Sequence, residues 1–399
     1  MNLPLLSLRL LWSRPLQAVL NLLLLALGLA SITFVLLARH QVEGALTRDL
    51  QGIDAVVGAK GSPMQLILSG VFHLDAPTGN VPLKDVQSLQ QHPMVAQVIP
   101  LSLGDSFQGF RIAGTTPDWI AHYRLQFAQG SGWQQPMQAV LGAQVAAATG
   151  LKPGDRFAGS HGLAGGDSHG STPYVVSGVL AGCGCVADRL VLTSLESVWH
   201  VHEHDASGDE EERKAMEEDR EVTAALVRYR TPLAAVTFPR FVNTSTSMQA
   251  AAPAVEVTRL LRMLGVGGEV LRGIGAVLLL AAGLSVFIAL WNAVRERRAD
   301  LAMLRMLGAP PRRVAGLLLF EALWLAVLAT ALGLVAGHAL MAAAGALLAE
   351  RQSLPLSGWV LLPEEAWVVA LALGVALLAA LLPAASAYRT DVARLLNER

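Results

Sequence analysis

Imidazole and thiol groups crowd one stretch of this 399-residue chain. The run WHVHEHD, Trp199 to Asp205, sets His200, His202 and His204 at alternate positions, and Cys183-Gly-Cys185 adds two thiols a short way upstream. Imidazole and thiolate donors together suit zinc or copper, and alternate histidines on an extended strand would share one face. His161 and His169 belong to the same neighbourhood. Two further readings stay open: the histidines form part of a solvated polar loop that continues into the acidic stretch Asp209 to Glu221, and the cysteines close a disulfide in an oxidising compartment. A zinc protease does not fit, because HEHDA at His202 lacks the HExxH spacing that puts two helical histidines on one metal.

No catalytic residue is assigned. Ser69-Gly70 and Ser106 lack the GxSxG setting of a hydrolase nucleophile, and His73 and His92 have no predicted geometry with one. A phosphate-cradling loop requires GxxxxGK[ST], and the nearest Gly-rich stretch, Gly58-Ala-Lys-Gly-Ser62, has neither the spacing nor the context. Any ATP hydrolysis therefore belongs to a partner protein.

The elements that position these residues are those of a membrane protein. The chain is 53% hydrophobic and only 15% charged, with a mean hydropathy of +0.46. That is too apolar for a soluble chain of this length. Four stretches reach the length of about 20 apolar residues that a hydrocarbon core requires: 16–37, 273–294, 314–339 and 366–387. The first is too long for a signal-peptide core and runs on into Arg39 and His40, so it reads as an uncleaved anchor. Arg9 and Arg14, six arginines in 295–313, and Arg389, Arg394 and Arg399 flank the spans on one side, whereas the loop 340–365 holds only Arg351. By the positive-inside rule both termini and the arginine-rich loop are cytoplasmic, with 1–15 an amphipathic surface segment and 388–399 a tail. Residues 38–272 then form a large external α+β domain. Met94 to Ile99, Tyr174 to Leu180 and Leu190 to Thr193 read as strands, Leu83 to Gln91 as a helix, and 38–52 and 253–272 as helical stalks prolonging the first two spans.

The segment between the second and third spans is the most specific wording in the chain. RERRADLAMLRMLGAPPRRV places arginines around an amphipathic run that ends at Leu307, Gly308 and Ala309 before two prolines. Such a run keeps guanidinium groups wet and turns an apolar face to a bilayer or a partner. The charged start, apolar helix, Leu-Gly-Ala turn and basic continuation, together with the order of one span, a large external domain and three spans, resemble the FtsX-like permeases of ABC transporters, including the MacB macrolide-exporter and lipoprotein-releasing branches.

The resemblance implies that residues 295–313 form a coupling helix resting on a separate nucleotide-binding subunit and transmitting its ATP-driven closure. Glu296 would open that helix. Arg297, Arg298 and Arg305 would lie on its polar side, Leu301, Leu304 and Leu307 would anchor it, and Gly308 would end it. The resemblance also implies a homodimer, two ATPase copies, a bacterial inner-membrane location, and an adaptor or substrate-binding protein outside; no nucleic-acid partner is expected. Gly273, Gly275, Ala276, Ala281, Ala282, Gly283, Gly333 and Gly337 are small enough for close helix approach, within the chain or between copies. Glu321 is the one carboxylate well inside a span and is expected to be paired. The alternative is a membrane-anchored metal-binding or sensing module that works through the His/Cys region.

Overall fold

The computed structural model describes residues 3–13, 15–162, 171–206, 220–296, 303, 306, 309–349 and 356–388. The chain forms two compact units, Met1–Val42 with Leu264–Arg399, and Glu43–Met263.

Helix α1 (Leu3–Leu11) is followed by α2 (Pro15–Asp49). Pro15 suits a first helical position, where its missing N–H costs nothing, and no charge interrupts α2 before Arg39. The external unit then runs β1 (Ala55–Ala59), α3 (Pro63–Gly70), β2 (Val81–Pro82), α4 (Leu83–Gln90), β3 (Val95–Phe107), β4 (Phe110–Thr115), α5 (Pro117–His122), β5 (Phe127–Gly130), β6 (Gln138–Leu141), α6 (Ala143–Thr149), β7 (Arg156–Phe157) and β8 (Ser160–His161). It continues with β9 (Tyr174–Leu180), a 3-10 turn at Val186–Arg189, β10 (Leu190–Ser194), α7 (Leu195–Ala206), β11 (Glu221–Val222), β12 (Ala224–Tyr229), α8 (Ala234–Ser245) and β13 (Met248–Ala251).

One mixed sheet organises this unit in the order β13-β1-β12-β3-β4-β10-β6-β9-β5, with β8 added to β3 and β7 to β9. β10 is parallel to β4 and β9 is parallel to β6, while the other pairs in this sheet are antiparallel. β3 and β4 join through Gln108 and Gly109, both at positive φ, the backbone that a two-residue hairpin needs to match strand twist. Helices cover the sheet. Phe238 and Val242 of α8 pack with Ala55, Val57, Val95 and Val227, and Val201 of α7 packs with Phe110, Ile112, Tyr174 and Val191. Strands and helices are thus mixed in an α+β domain, as the β-branched runs predict.

The chain continues in α9 (Pro253–Glu296), α10 (Pro311–Ala349) and α11 (Glu365–Tyr388). With α2 they make, among the described residues, four helices long and apolar enough to cross a membrane. In the stalk stretches, 38–49 is the end of α2 and 253–272 the start of α9. Glycines bring the bundle helices together. A Cβ on Gly333 would lie 2.7 Å from the Leu29 Cβ, one on Gly337 2.7 Å from the Thr33 Cβ, and one on Gly275 3.0 Å from Ile32. These three glycines are used inside one chain, where backbone approach replaces the hydrophobic drive that lipid removes. Gly273 has nothing within 4 Å of its Cβ position.

Candidate functional sites: the coupling segment and the external loops

Of the coupling residues, Glu296 is described and lies exposed at the last position of α9. Arg297, Arg298, Leu301, Leu304, Arg305, Leu307 and Gly308 lie outside the described residues. Within 297–308, positions 303 and 306 are helical, with both methionine side chains 56% exposed. The two ends of the segment are firmly seated. Val294 and Val314 are each 3% exposed and share one bundle core, while Arg295, Arg312 and Arg313 are exposed.

Beside this end of the bundle, α1 packs along α10, and Trp324 donates its indole N–H to the Pro4 carbonyl (3.0 Å). Ser7 and Leu11 of α1 are buried, while Leu5 and Trp12 are exposed. Glu321 is 7% exposed and lines a small cavity with Leu11, Gln17, Asn21, Leu290 and Leu325. Asn21 accepts a hydrogen bond from the Ser285 hydroxyl (2.5 Å). At the other end His338 Nδ1 lies 2.8 Å from the Gly358 carbonyl and Nε2 3.3 Å from the Glu365 carboxylate. Gln41 exchanges two hydrogen bonds with the Ser357 backbone (2.8 and 2.7 Å), so the loop before α11 is tied to α2.

The proposed metal residues do not form the extended, face-sharing array that their alternation suggests. Residues 195–206 are α7, a helix. Its buried positions Leu195, Val198 and Val201 recur every three residues, so packing under the sheet overrides the alternate pattern read as a strand. In a helix, positions 200 and 204 fall one turn apart and position 202 on another side. His200 is exposed; the side chains of His202 and His204, and all of His169, lie outside the described residues. Trp199 donates to the Glu221 carbonyl (2.8 Å) beneath the Arg220 guanidinium, 4.7 Å from the ring centre. Cys183 and Cys185 are joined as a disulfide, so in this state neither supplies a thiolate. Among the described residues no three His, Cys, Asp or Glu side chains gather as a metal set.

Sequence reading missed a buried polar cluster around the disulfide loop. Both Asp188 oxygens accept backbone N–H groups, from Cys183 (2.9 Å) and Gly184 (2.8 Å). Asp49, 2% exposed at the end of α2, accepts from the Val186 N–H (2.8 Å), and its own carbonyl accepts from the Tyr123 hydroxyl (2.8 Å). Burial outweighs that hydrogen bond and pushes the Asp49 carboxyl up to about 6. Arg111 donates to the Asp75 carbonyl (2.8 Å). His73 is wholly inside, both ring nitrogens without a hydrogen-bond partner. Burial, with the charges of Arg111 and Arg189, lowers its pKa to about 3, so it is neutral. Elsewhere Asp105, also buried, faces His161 at 3.2 Å. The signal in the sequence was weak: isolated charges among strands, with no motif.

Residues 18–256 match the family model described as MacB-like periplasmic core domain, and residues 272–392 that described as FtsX-like permease C-terminal. No curated protein matches the chain. Among solved structures, the periplasmic region of MacB from Actinobacillus actinomycetemcomitans is 11% identical, with 53% of this chain and 95% of that one covered and a TM-score of 0.35. The extracellular domain of the noncanonic ABC-type transporter YknZ from Gram-positive bacteria is 10% identical, with 49% and 98% covered and a TM-score of 0.31.

Proposed function

The chain belongs to the FtsX-like permeases that carry a MacB-like periplasmic core domain, and on that premise we propose that it converts ATP-driven motion of a separate ATPase subunit into movement of its external domain. One observation carries the reading. α2 and α9 each run unbroken through a boundary between the two compact units, α2 at Val42/Glu43 and α9 at Met263/Leu264. The far end of α2 is fastened there through Asp49 to Val186 and Tyr123. A helix is stiff along its axis, and a hydrogen-bonded buried end cannot slide without breaking contacts, which is what transmission requires.

In this account the ATPase meets the segment 295–313, with Leu301, Leu304 and Leu307 seated in the partner and Arg297, Arg298 and Arg305 at its wet rim. Two chains and two ATPase copies form the working unit, with both termini cytoplasmic. Each nucleotide state favours one arrangement of the pair, and the external domain exports, releases or hands over its substrate, with or without an adaptor. The test is Leu304→Asp and Leu307→Asp in the reconstituted complex. Stimulation of ATPase activity by the chain is lost in both variants; unchanged stimulation refutes the coupling role.

Zinc or copper binding in the external domain is a second reading, favoured by the one-turn spacing of His200 and His204 on α7. Metal analysis of the purified chain decides it: about one equivalent, lost when His200, His202 and His204 are replaced by alanine, supports a site, and no retained metal dismisses it.

A further inference from the structure

Cys183 and Cys185 are the two cysteines of the chain and are bonded to each other. A bridge between residues two apart closes a very short loop and removes little freedom from the unfolded chain, so it contributes little as a staple. What it does is shape a loop. Gly184, at φ +63, turns the backbone between the two sulfurs, in the left-handed region that glycine adopts without penalty. The Asp188 carboxylate gathers the N–H groups of Cys183 and Gly184 from within. The same loop receives the end of α2: Arg48 Nε donates to the Gly184 carbonyl (3.1 Å), and the Val186 N–H donates to Asp49 (2.8 Å). Both cysteines are half-buried and Gly184, between them, is exposed.

We propose that Cys183-Gly184-Cys185 is a thiol–disulfide exchange site for a dithiol protein, and that its redox state sets how firmly the end of α2 is held in the external domain. The permease reading supplies the compartment of that partner; the linkage to α2 does not depend on it. A thiolate of the partner attacks one sulfur of the bridge, forming a mixed disulfide and expelling the other cysteine as thiolate. The partner's second thiol then displaces the first cysteine. The partner leaves as a disulfide, Cys183 and Cys185 are left reduced, and the two electrons and two protons come from the partner dithiol. Opening the ring releases the backbone that presents the Gly184 carbonyl and Val186 amide to Arg48 and Asp49.

The experiment uses the full chain in lipid nanodiscs, equilibrated with dithiothreitol buffers of graded potential. Maleimide labelling counts thiols, and hydrogen exchange is read on peptides covering 43–50. With no other cysteine in the chain, every label reports this bridge. The expected result is a transition from no label to two per chain without denaturant, accompanied by at least a threefold faster exchange at 46–50. The double variant Cys183→Ser/Cys185→Ser shows the same fast exchange without reductant, and in situ reduction of the unaltered chain guards against a variant that folds poorly. A bridge that opens only in denaturant overturns the exchange site. Full labelling with unchanged exchange at 46–50 overturns the linkage to α2. Neither readout involves ATPase activity, so failure of the permease reading stays distinguishable.

Discussion

The membrane bundle and the external domain solve the burial of polar groups in opposite ways. The bundle keeps polar side chains few and matches them singly, Asn21 with Ser285 and His338 with Glu365, and gains its contact by removing side chains at Gly275, Gly333 and Gly337. The external domain has a sheet core of Val, Ile, Leu and Ala and tolerates a cluster of buried charged and polar groups, Asp49, Arg111, Asp188, Arg189 and His73, held by loop backbone. Lipid offers no hydrophobic drive between helices, so there van der Waals fit decides stability. In water the sheet core supplies the drive, and polar groups can be spent on fixing loops. The bundle should therefore be sensitive to volume and the external domain to charge.

Substitutions at glycine set the largest contrast. Gly337→Leu forces side-chain volume into a place 2.7 Å from Thr33 and 3.1 Å from the Ala30 carbonyl; it should cost on the order of 3 kcal/mol or more, read as loss of monodisperse protein and of the thermal transition. Gly273→Leu, at an open position, should leave both unchanged, and equal damage from the two would break the volume argument. Asp188→Ala comes next. It strands the Cys183 and Gly184 backbone N–H groups and removes one of the two carboxylates, with Asp49, that face Arg189, an expected loss of about 2–3 kcal/mol, measured by denaturant titration of the external-domain signal.

His73 tests the charge side through pH. Its folded pKa of about 3 lies below the unfolded value of 6.5, so between those values the unfolded chain binds the extra proton. Stability is undiminished above pH 6.5 and falls as pH drops towards 3, by up to about 1.4 kcal/mol per pH unit. His73→Asn, which suits the positive φ of 54 at this position, should flatten that slope in thermal melts between pH 7 and 5; an unaltered slope assigns the loss to other groups. The smallest effect expected is the coupling of Asn21 with Ser285, about 0.6 kcal/mol in a double-mutant cycle. A value above that of Asp188→Ala would reverse the contrast between the two regions.

The bundle was the more legible of the two in sequence, because a long uncharged run has few meanings. The runs behind α2, α9, α10 and α11 gave the spanning helices, and RERRADLAMLRMLGAPPRRV gave the family. Strands β3, β9 and β10 were readable from their β-branched residues, and α4 from its helical spacing. WHVHEHD misled: the alternate histidines imitate one face of a strand, whereas Leu195, Val198 and Val201 carry the period that packs α7 against the sheet. The role of Asp49 was invisible, because a carboxylate that caps a loop 137 residues away in sequence leaves no local pattern, and Asp188, which binds N–H groups four and five residues back, carries no motif that marks it. The small residues were recognised, but spacing alone does not separate Gly333, closed against α2, from Gly273, open.

Transmission along α2 and α9 is the central claim, and hydrogen exchange in the reconstituted complex tests it most directly, comparing the nucleotide-free state with ATP trapped before hydrolysis. The account predicts changes both at 295–313 and, remote from it, at 43–50 and 253–263, with Leu304→Asp abolishing the remote ones. Changes confined to 295–313, with the helix ends in the external unit unaffected by ATP, would contradict it.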